Sequence, residues 1–153
     1  MEKQIKIKLS KVAQMSLDNL RREIVEIISN KALSLCDELK KWYNKLGEWL
    51  GYNYLPSEND LNSIAYVSLN NKKAEESVKI LNWALELYPN GINLYDSKAE
   101  MLENLSKKED AINTLNLGLN KLDETKASME KENYDYNKKR LGEHLERLNK
   151  NRR

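Results

Sequence analysis

The chain aligns with itself when it is displaced by 34 residues from Leu61 onward. The coinciding positions are mostly small or apolar in both copies: Leu61 with Tyr95, Ala65 with Ala99, Ser77 with Ala111, Leu81 with Leu115, Ala84 with Gly118 and Leu85 with Leu119. Self-similarity at a fixed period of this length is typical of repeat proteins, in which stacked copies of one unit bury a shared core. The period therefore predicts a repeat architecture, with small residues where neighbouring backbones approach each other.

Glycine and proline are scarce, with Gly 5 and Pro 2 in 153 residues. Tight hairpins and β-sandwiches need many such residues at their turns, so those folds are excluded. The apolar residues instead recur at steps of four and three, as in Leu35, Leu39 and Trp42, which is the spacing of an amphipathic helix. We therefore expect an all-α protein.

Turn and cap residues divide the chain into helices. The apolar spacing up to Ile27 predicts one long helix, or two with a break near Ser16; further helices are expected at about 31–50, 57–69, 72–88, 92–105, 106–122 and 128–149. Ser57 and Asp60 nearly form a capping box, and Ser106 with Glu109 forms a complete one. Each of these serines is therefore expected to begin a helix.

The repeated residues resemble the tetratricopeptide repeat, a helix–turn–helix unit of 34 residues. The resemblance covers residues 58–91 and 92–125, and Pro89 stands at the position of the family's proline. It implies that the first helix of each pair lines a concave surface that binds a partner protein or peptide. The chain is then a non-enzymatic interaction or scaffold module without a cofactor.

Two repeats alone bury little surface, so flanking helices are expected to cap them. We divide the chain into an N-terminal helical hairpin at 1–56, two repeats at 57–125, and a C-terminal capping helix with a basic tail at 126–153. The hairpin is expected to pair within one chain, and a homodimer through the same hairpin is the alternative. Its apolar stripes run from Ala13 to Ile27 and from Leu35 to Trp49.

The resemblance places a set of polar residues on the exposed side of the two first helices: Asn59, Asn62, Tyr66, Asn93, Asp96 and Glu100. Some members of the family hold a peptide's terminal carboxylate at such positions with lysine, asparagine and arginine. Asp96 and Glu100 would repel a carboxylate, whereas asparagine amides bond a peptide backbone as donor and acceptor. We therefore predict a partner segment that is basic or neutral.

Single residues offer little chemistry. His144 is expected on the surface or in the cap, and Cys36 is expected to pack as a small apolar side chain. One histidine and one cysteine cannot form an ordinary zinc site. The aromatic residues near the end of the second helix are expected in the core, with interface anchors as the alternative: Trp42, Tyr43, Trp49, Tyr52 and Tyr54.

Charge and hydropathy limit the partners. A formal net charge of +2 gives no basic excess for a nucleic-acid binder. No stretch approaches the 18 apolar residues of a membrane span, and the first residues lack the apolar stretch of a signal peptide. A single cysteine fits a reducing compartment. We expect a cytoplasmic protein that binds neither nucleic acid nor membrane.

A narrower resemblance supplies the competing function. Residues 61–66 and 86–97 are similar to a repeat extension of some bacterial beta-lactamase-like serine hydrolases. Ser128 and Lys131 match the S-x-x-K pattern of that family, but Lys45 and Gly47 match its K-x-G element in the reversed chain order. The alternative to an interaction module is thus a remnant or accessory of a serine hydrolase, or a self-associating structural protein.

Overall fold

A computed structural model of the chain describes residues 34–150 together with Asn19 and Arg22. Its contacts divide the chain into two units, Met1–Tyr54 and Leu55–Arg153. The expected first helix of the hairpin, the apolar stripe from Ala13 to Ile27 and the end of the basic tail lie outside the described residues.

Residues 34–150 form α-helices and no strand, which confirms the all-α class. The helices are α1 Leu35–Leu50, α2 Glu58–Asn70, α3 Ala74–Leu87, α4 Ile92–Asn104, α5 Lys108–Thr125 and α6 Lys131–Lys150. A 3-10 turn at Lys126–Ser128 precedes α6, which therefore begins later than the sequence predicts. None of the helices in this part of the chain has the length and apolar character to cross a membrane.

The turn between α2 and α3 recurs between α4 and α5. Lys72 has a φ of 61° and Ser106 a φ of 59°, so both are left-handed. The Lys72 amide donates to the Leu69 carbonyl over 2.8 Å, and the Ser106 amide donates to the Glu103 carbonyl over the same distance. The two helix pairs are thus joined in the same way, at the spacing of the sequence repeat.

The two predicted serine caps have different outcomes. The Ser57 hydroxyl accepts a hydrogen bond from the Asp60 amide at 3.1 Å, which confirms its role at the start of α2. The capping box at Ser106 is wrong, because the residue before α5 is Lys107 and it makes no side-chain cap. Ser106 is taken up by the left-handed turn that ends α4.

Small residues lie where the helices of the second unit cross. Ala65, Ala84, Ala99 and Ala111 are fully buried. Consecutive helices from α2 to α6 pack against each other, and α4 also contacts α2 and α6. The apolar side of α6 packs on the core of α4 and α5 through Tyr134, Leu141, Leu145 and Leu148.

The aromatic residues of the first unit are only partly a core. Leu35, Cys36, Leu39 and Tyr43 are buried, so the buried side of α1 runs toward Tyr43 rather than toward the predicted Trp49. Trp49 is 71% exposed. Tyr52 is 59% exposed as well, which corrects the expectation that Trp49 and Tyr52 lie in the core. Tyr43 and Tyr54 stack with their ring centroids 6.1 Å apart.

Gly118 marks a close helix crossing, and its replacement tests the packing. A β-carbon at Gly118 would lie 2.8 Å from the Tyr95 β-carbon, which cannot move without its backbone. Gly118→Ala gains about 0.5–1 kcal/mol of helix propensity. Overpacking costs about 1–3 kcal/mol, so we expect a net loss of stability in urea denaturation.

Gly142→Ala in α6 is the matched control, because a β-carbon there meets no atom within 4 Å. This variant keeps the gain in helix propensity without the clash, so it should equal or exceed the wild-type stability. Equal midpoints for the two variants would contradict the close crossing at Gly118.

Candidate functional site

Three acidic residues of α4 form a row beside its buried side. Asp96, Glu100 and Glu103 follow at steps of four and three, and such positions lie above one another on one face of a helix. The adjacent stripe, Tyr95 with Ala99 and Leu102, is buried. Burial of that stripe holds the acid row at the edge of the core, where all three carboxylates are half-buried.

Helix α6 carries a matching row of cations. Arg140, His144 and Arg147 also follow at steps of four and three, next to the apolar stripe that docks α6 on the core. Docking of the apolar stripe therefore brings the cationic row against α4. Arg140 contacts Asp96 and Arg147 contacts Glu103, so the two rows run in the same direction.

His144 bridges two acids of α4. Its Nδ1 lies 2.6 Å from Asp96 Oδ1, and its Nε2 lies 2.5 Å from Glu103 Oε1. Its side chain is only 12% exposed. Carboxylates only accept hydrogen bonds, and both ring nitrogens are donors only in the imidazolium form. The hydrogen bond with Asp96 raises the pKa of His144 above its ordinary value, and Glu103 adds to this against the effect of burial.

Glu103 receives a second cation. Arg147 donates to the same Oε1 atom from its guanidinium nitrogen at 2.7 Å. Burial by itself would raise the pKa of Glu103, but the hydrogen bonds from His144 and Arg147 outweigh burial and hold that pKa below its ordinary value. Glu103 is therefore an ionised acceptor for two cations of α6.

Arg140 holds the other end of the row. It donates to Asn93 Oδ1 at 2.8 Å and to Asn137 Oδ1 at 3.1 Å. Its Nε lies 3.4 Å from Asp96 Oδ2, which is an ion-pair distance without the geometry of a hydrogen bond. Asn93 and Asp96 are thus both engaged by α6.

Tyr66 connects α2 to the acid row of α4. Its hydroxyl donates to Glu100 Oε2 over 2.6 Å, across the two helix pairs. Burial raises the pKa of the Tyr66 phenol, and the hydrogen bond with the Glu100 carboxylate raises it further. Tyr66 is therefore a neutral donor, and its hydrogen bond leaves the negative charge of Glu100 in place.

The six residues predicted for the binding face differ in their surroundings. Tyr66 joins Glu100, while Asn93 and Asp96 meet Arg140. Asn59 is exposed in the first turn of α2. Asn62 is half-buried, and its buried Oδ1 finds no hydrogen-bond donor within the described part of the chain.

Sequence reasoning missed His144 as a site residue. His144 lies on the helix that the sequence predicts as the cap, but the sequence did not predict that two carboxylates of α4 enclose its ring. Glu103, Arg140 and Arg147 were not predicted either. The steps of four and three place each set on one face of its own helix, but this spacing does not say which helices face each other.

The facing rows border a cleft of about 360 Å³. Its lining is polar and consists of Asp96, Glu100, Glu103, Asn104, His144 and Arg147. These side chains offer charges and amide groups but no hydroxyl or thiol nucleophile. Within the described residues no group of histidine, cysteine and carboxylates has an arrangement that suits a metal ion. The cleft is thus suited to recognition of polar or charged groups.

The S-x-x-K pattern lies elsewhere. Ser128 is the last residue of the 3-10 turn, and its hydroxyl donates to the Thr125 carbonyl over 2.9 Å. A nucleophilic serine needs its proton directed at a base. The Ser128 proton is directed at the backbone instead.

Comparisons with protein-family models, curated proteins and solved structures find no match to this chain. The chemistry of the cleft is therefore the basis for assigning a function.

Replacement of His144 by glutamine tests the charge of the bridge. Since the folded protein raises the pKa of His144, its contribution to stability is complete below the unfolded value of about 6.5 and is lost as pH rises through the folded value. The lowered pKa of Glu103 has the opposite sense: its contribution holds above the unfolded value of about 4.3 and is lost as pH falls through the folded value.

We therefore expect His144→Gln to lower the free energy of unfolding by about 1–3 kcal/mol between about pH 4.5 and 6.5, and by less at higher pH. Urea denaturation at a series of pH values measures this. Lys139→Gln, on an exposed position of α6, should change stability by less than about 0.5 kcal/mol throughout. A deficit of His144→Gln that does not vary with pH would exclude the imidazolium bridge.

Proposed function

We propose that this chain is a non-catalytic, tetratricopeptide-like module that binds a basic or neutral segment of a partner protein in the cytoplasm. The binding face is the side of α2 and α4 that carries Asn59, Asn62, Tyr66, Asn93, Asp96 and Glu100, bordered by the cationic row of α6. In this proposal α6 caps the second repeat and also completes the cleft.

The repeated turn supports the tetratricopeptide-like arrangement. Lys72 and Ser106 share a left-handed conformation and the same hydrogen bond, and α2 and α4 begin at equivalent positions. Buried small residues recur at the same period, as in Ala65 and Ala99. A repeat of this kind places the first helices of successive pairs side by side, which gives a continuous face.

Glu100 is the observation that carries the binding proposal. Asp96 and Glu103 have cations of α6 as partners, but the hydrogen bond that Glu100 accepts comes from the neutral Tyr66. Among the described residues no cation lies within ion-pair distance of Glu100. It therefore supplies a half-buried negative charge at the wall of the cleft, which favours a lysine or arginine of the partner.

Tyr66 and the asparagines suit the rest of such a segment. Tyr66 presents rigid apolar area, and its hydroxyl is fixed by Glu100. The exposed amide of Asn59 can bond an extended backbone as donor and acceptor. The face thus combines one charge that selects the partner with neutral groups that bind any backbone.

Selection from a phage-displayed library of random dodecapeptides tests the proposal. We expect peptides enriched in lysine and arginine and depleted in acids. Glu100→Lys should weaken the selected peptides at least about tenfold, or 1.4 kcal/mol, because it reverses the charge at the wall of the cleft.

Glu75→Lys is the matched control, since Glu75 is an exposed acid in the first turn of α3. It makes the same change of net charge away from the cleft and should leave binding unchanged. Failure to enrich any peptide, or equal weakening by both variants in fluorescence anisotropy, would contradict the proposal.

A further inference from the structure

His144 lies where α6 crosses α4, and it is the single histidine of the chain. Each of its ring nitrogens faces a carboxylate oxygen, at 2.6 Å and 2.5 Å. We propose that protonated His144 fastens the C-terminal half of α6 to α4, and that loss of this proton lets residues 141–150 open more often. Proton binding at one side chain thereby controls how firmly the last helix is attached.

The geometry of the bridge carries this inference. A neutral imidazole has one N–H donor and one lone pair. Deprotonation would leave that lone pair against a carboxylate oxygen at hydrogen-bond distance, so a bond becomes a repulsive contact. One of the two carboxylates must then move or bind water, and either change loosens the contact between the helices.

The charged groups around His144 come from the two helices that form the bridge. They are Asp96, Glu100 and Glu103 of α4, and Arg140, Glu143 and Arg147 of α6. Helix α5 also packs against α6, but its ion pair with α6 joins Asp123 to Lys138, which lies six residues before His144. Within this set, His144 is the group that changes charge near neutral pH.

The first half of α6 has attachments of another kind. The Tyr134 hydroxyl donates to Asp123 at 2.6 Å, and Lys138 lies 3.2 Å from the same carboxylate. Hydrogen bonds with Tyr134 and with each other lower the pKa of Asp123 and raise the pKa of Lys138, so these two groups keep their charges through the neutral range. Deprotonation of His144 should therefore loosen α6 from its C-terminal half while the half near Tyr134 stays attached.

The opening would also change the proposed binding face. Asp96 and Glu103 are covered by His144 in the closed state, and opening would free their carboxylates for a basic segment. This consequence rests on the proposed function, whereas the attachment of α6 does not. The tests below use the full chain without any peptide, so their failure would leave the proposed function untouched.

Nitrogen-15 NMR of the imidazole reports on His144 alone, since the chain contains no second histidine. We expect both ring nitrogens to remain protonated above the ordinary pKa of about 6.5. Glu103→Gln should lower the pKa of His144, because it removes a charged acceptor. Glu143→Gln is the matched control, since Glu143 is an exposed neighbour on α6. Equal pKa values in the two variants, or a wild-type pKa at or below 6.5, would overturn the proposal.

Hydrogen–deuterium exchange measures the opening itself. As pH rises through the titration of His144, we expect the protection of residues 141–150 to fall at least about fivefold relative to residues 92–104 of α4. In His144→Gln, which does not titrate, this ratio should stay constant with pH. A ratio that is constant in the wild type, or that varies equally in both proteins, would overturn the proposal.

Discussion

The close crossing of helices at small side chains is the constraint on which the rest of the second unit depends. Gly118 has no room for a β-carbon beside Tyr95, and Ala99 and Ala111 are fully buried. Larger residues at these positions would force α4 and α5 apart. Because α6 packs on both helices, its cations would then be displaced from the acid row of α4, and hydrogen bonds fail beyond about 3.5 Å. Apolar packing therefore determines the distances between the charged side chains of the site.

Approximate free energies also indicate that apolar packing contributes more than the ionic contacts to the attachment of α6. Burial of each large apolar side chain of α6, such as Leu141 or Leu148, contributes about 1.5–3 kcal/mol. A hydrogen bond to a charged group contributes about 1.5–3 kcal/mol at best, and an exposed ion pair about 0–1 kcal/mol. Several buried side chains therefore outweigh the ionic bridge. The apolar stripe attaches α6, and the bridge decides how tightly its second half is held.

Sequence patterns predicted those features that depend on local spacing. The helices, the Ser57 cap and the apolar residues of α6 follow from neighbouring residues along the chain. The predicted cap at Ser106 was wrong because this residue belongs to the turn that ends α4, and a capping pattern contains no information on backbone handedness. The His144 bridge was not predicted for a different reason. Its partners are 41 and 48 positions away, and the pattern of a single helix does not say which helix lies opposite.

Helix α4 contributes both to the fold and to the proposed function, and different acids of this helix have these two roles. Asp96 and Glu103 form ion pairs with cations of α6, so their charges already have partners within the chain. An external lysine would have to compete with a cation that is tethered and already in place. Glu100 lies between them and binds only the neutral Tyr66 hydroxyl among the described residues, so an external cation meets no competitor there. Tyr66 itself fixes this carboxylate in the cleft wall. In the proposed function, the internal ion pairs thereby leave one position of the row for a basic partner.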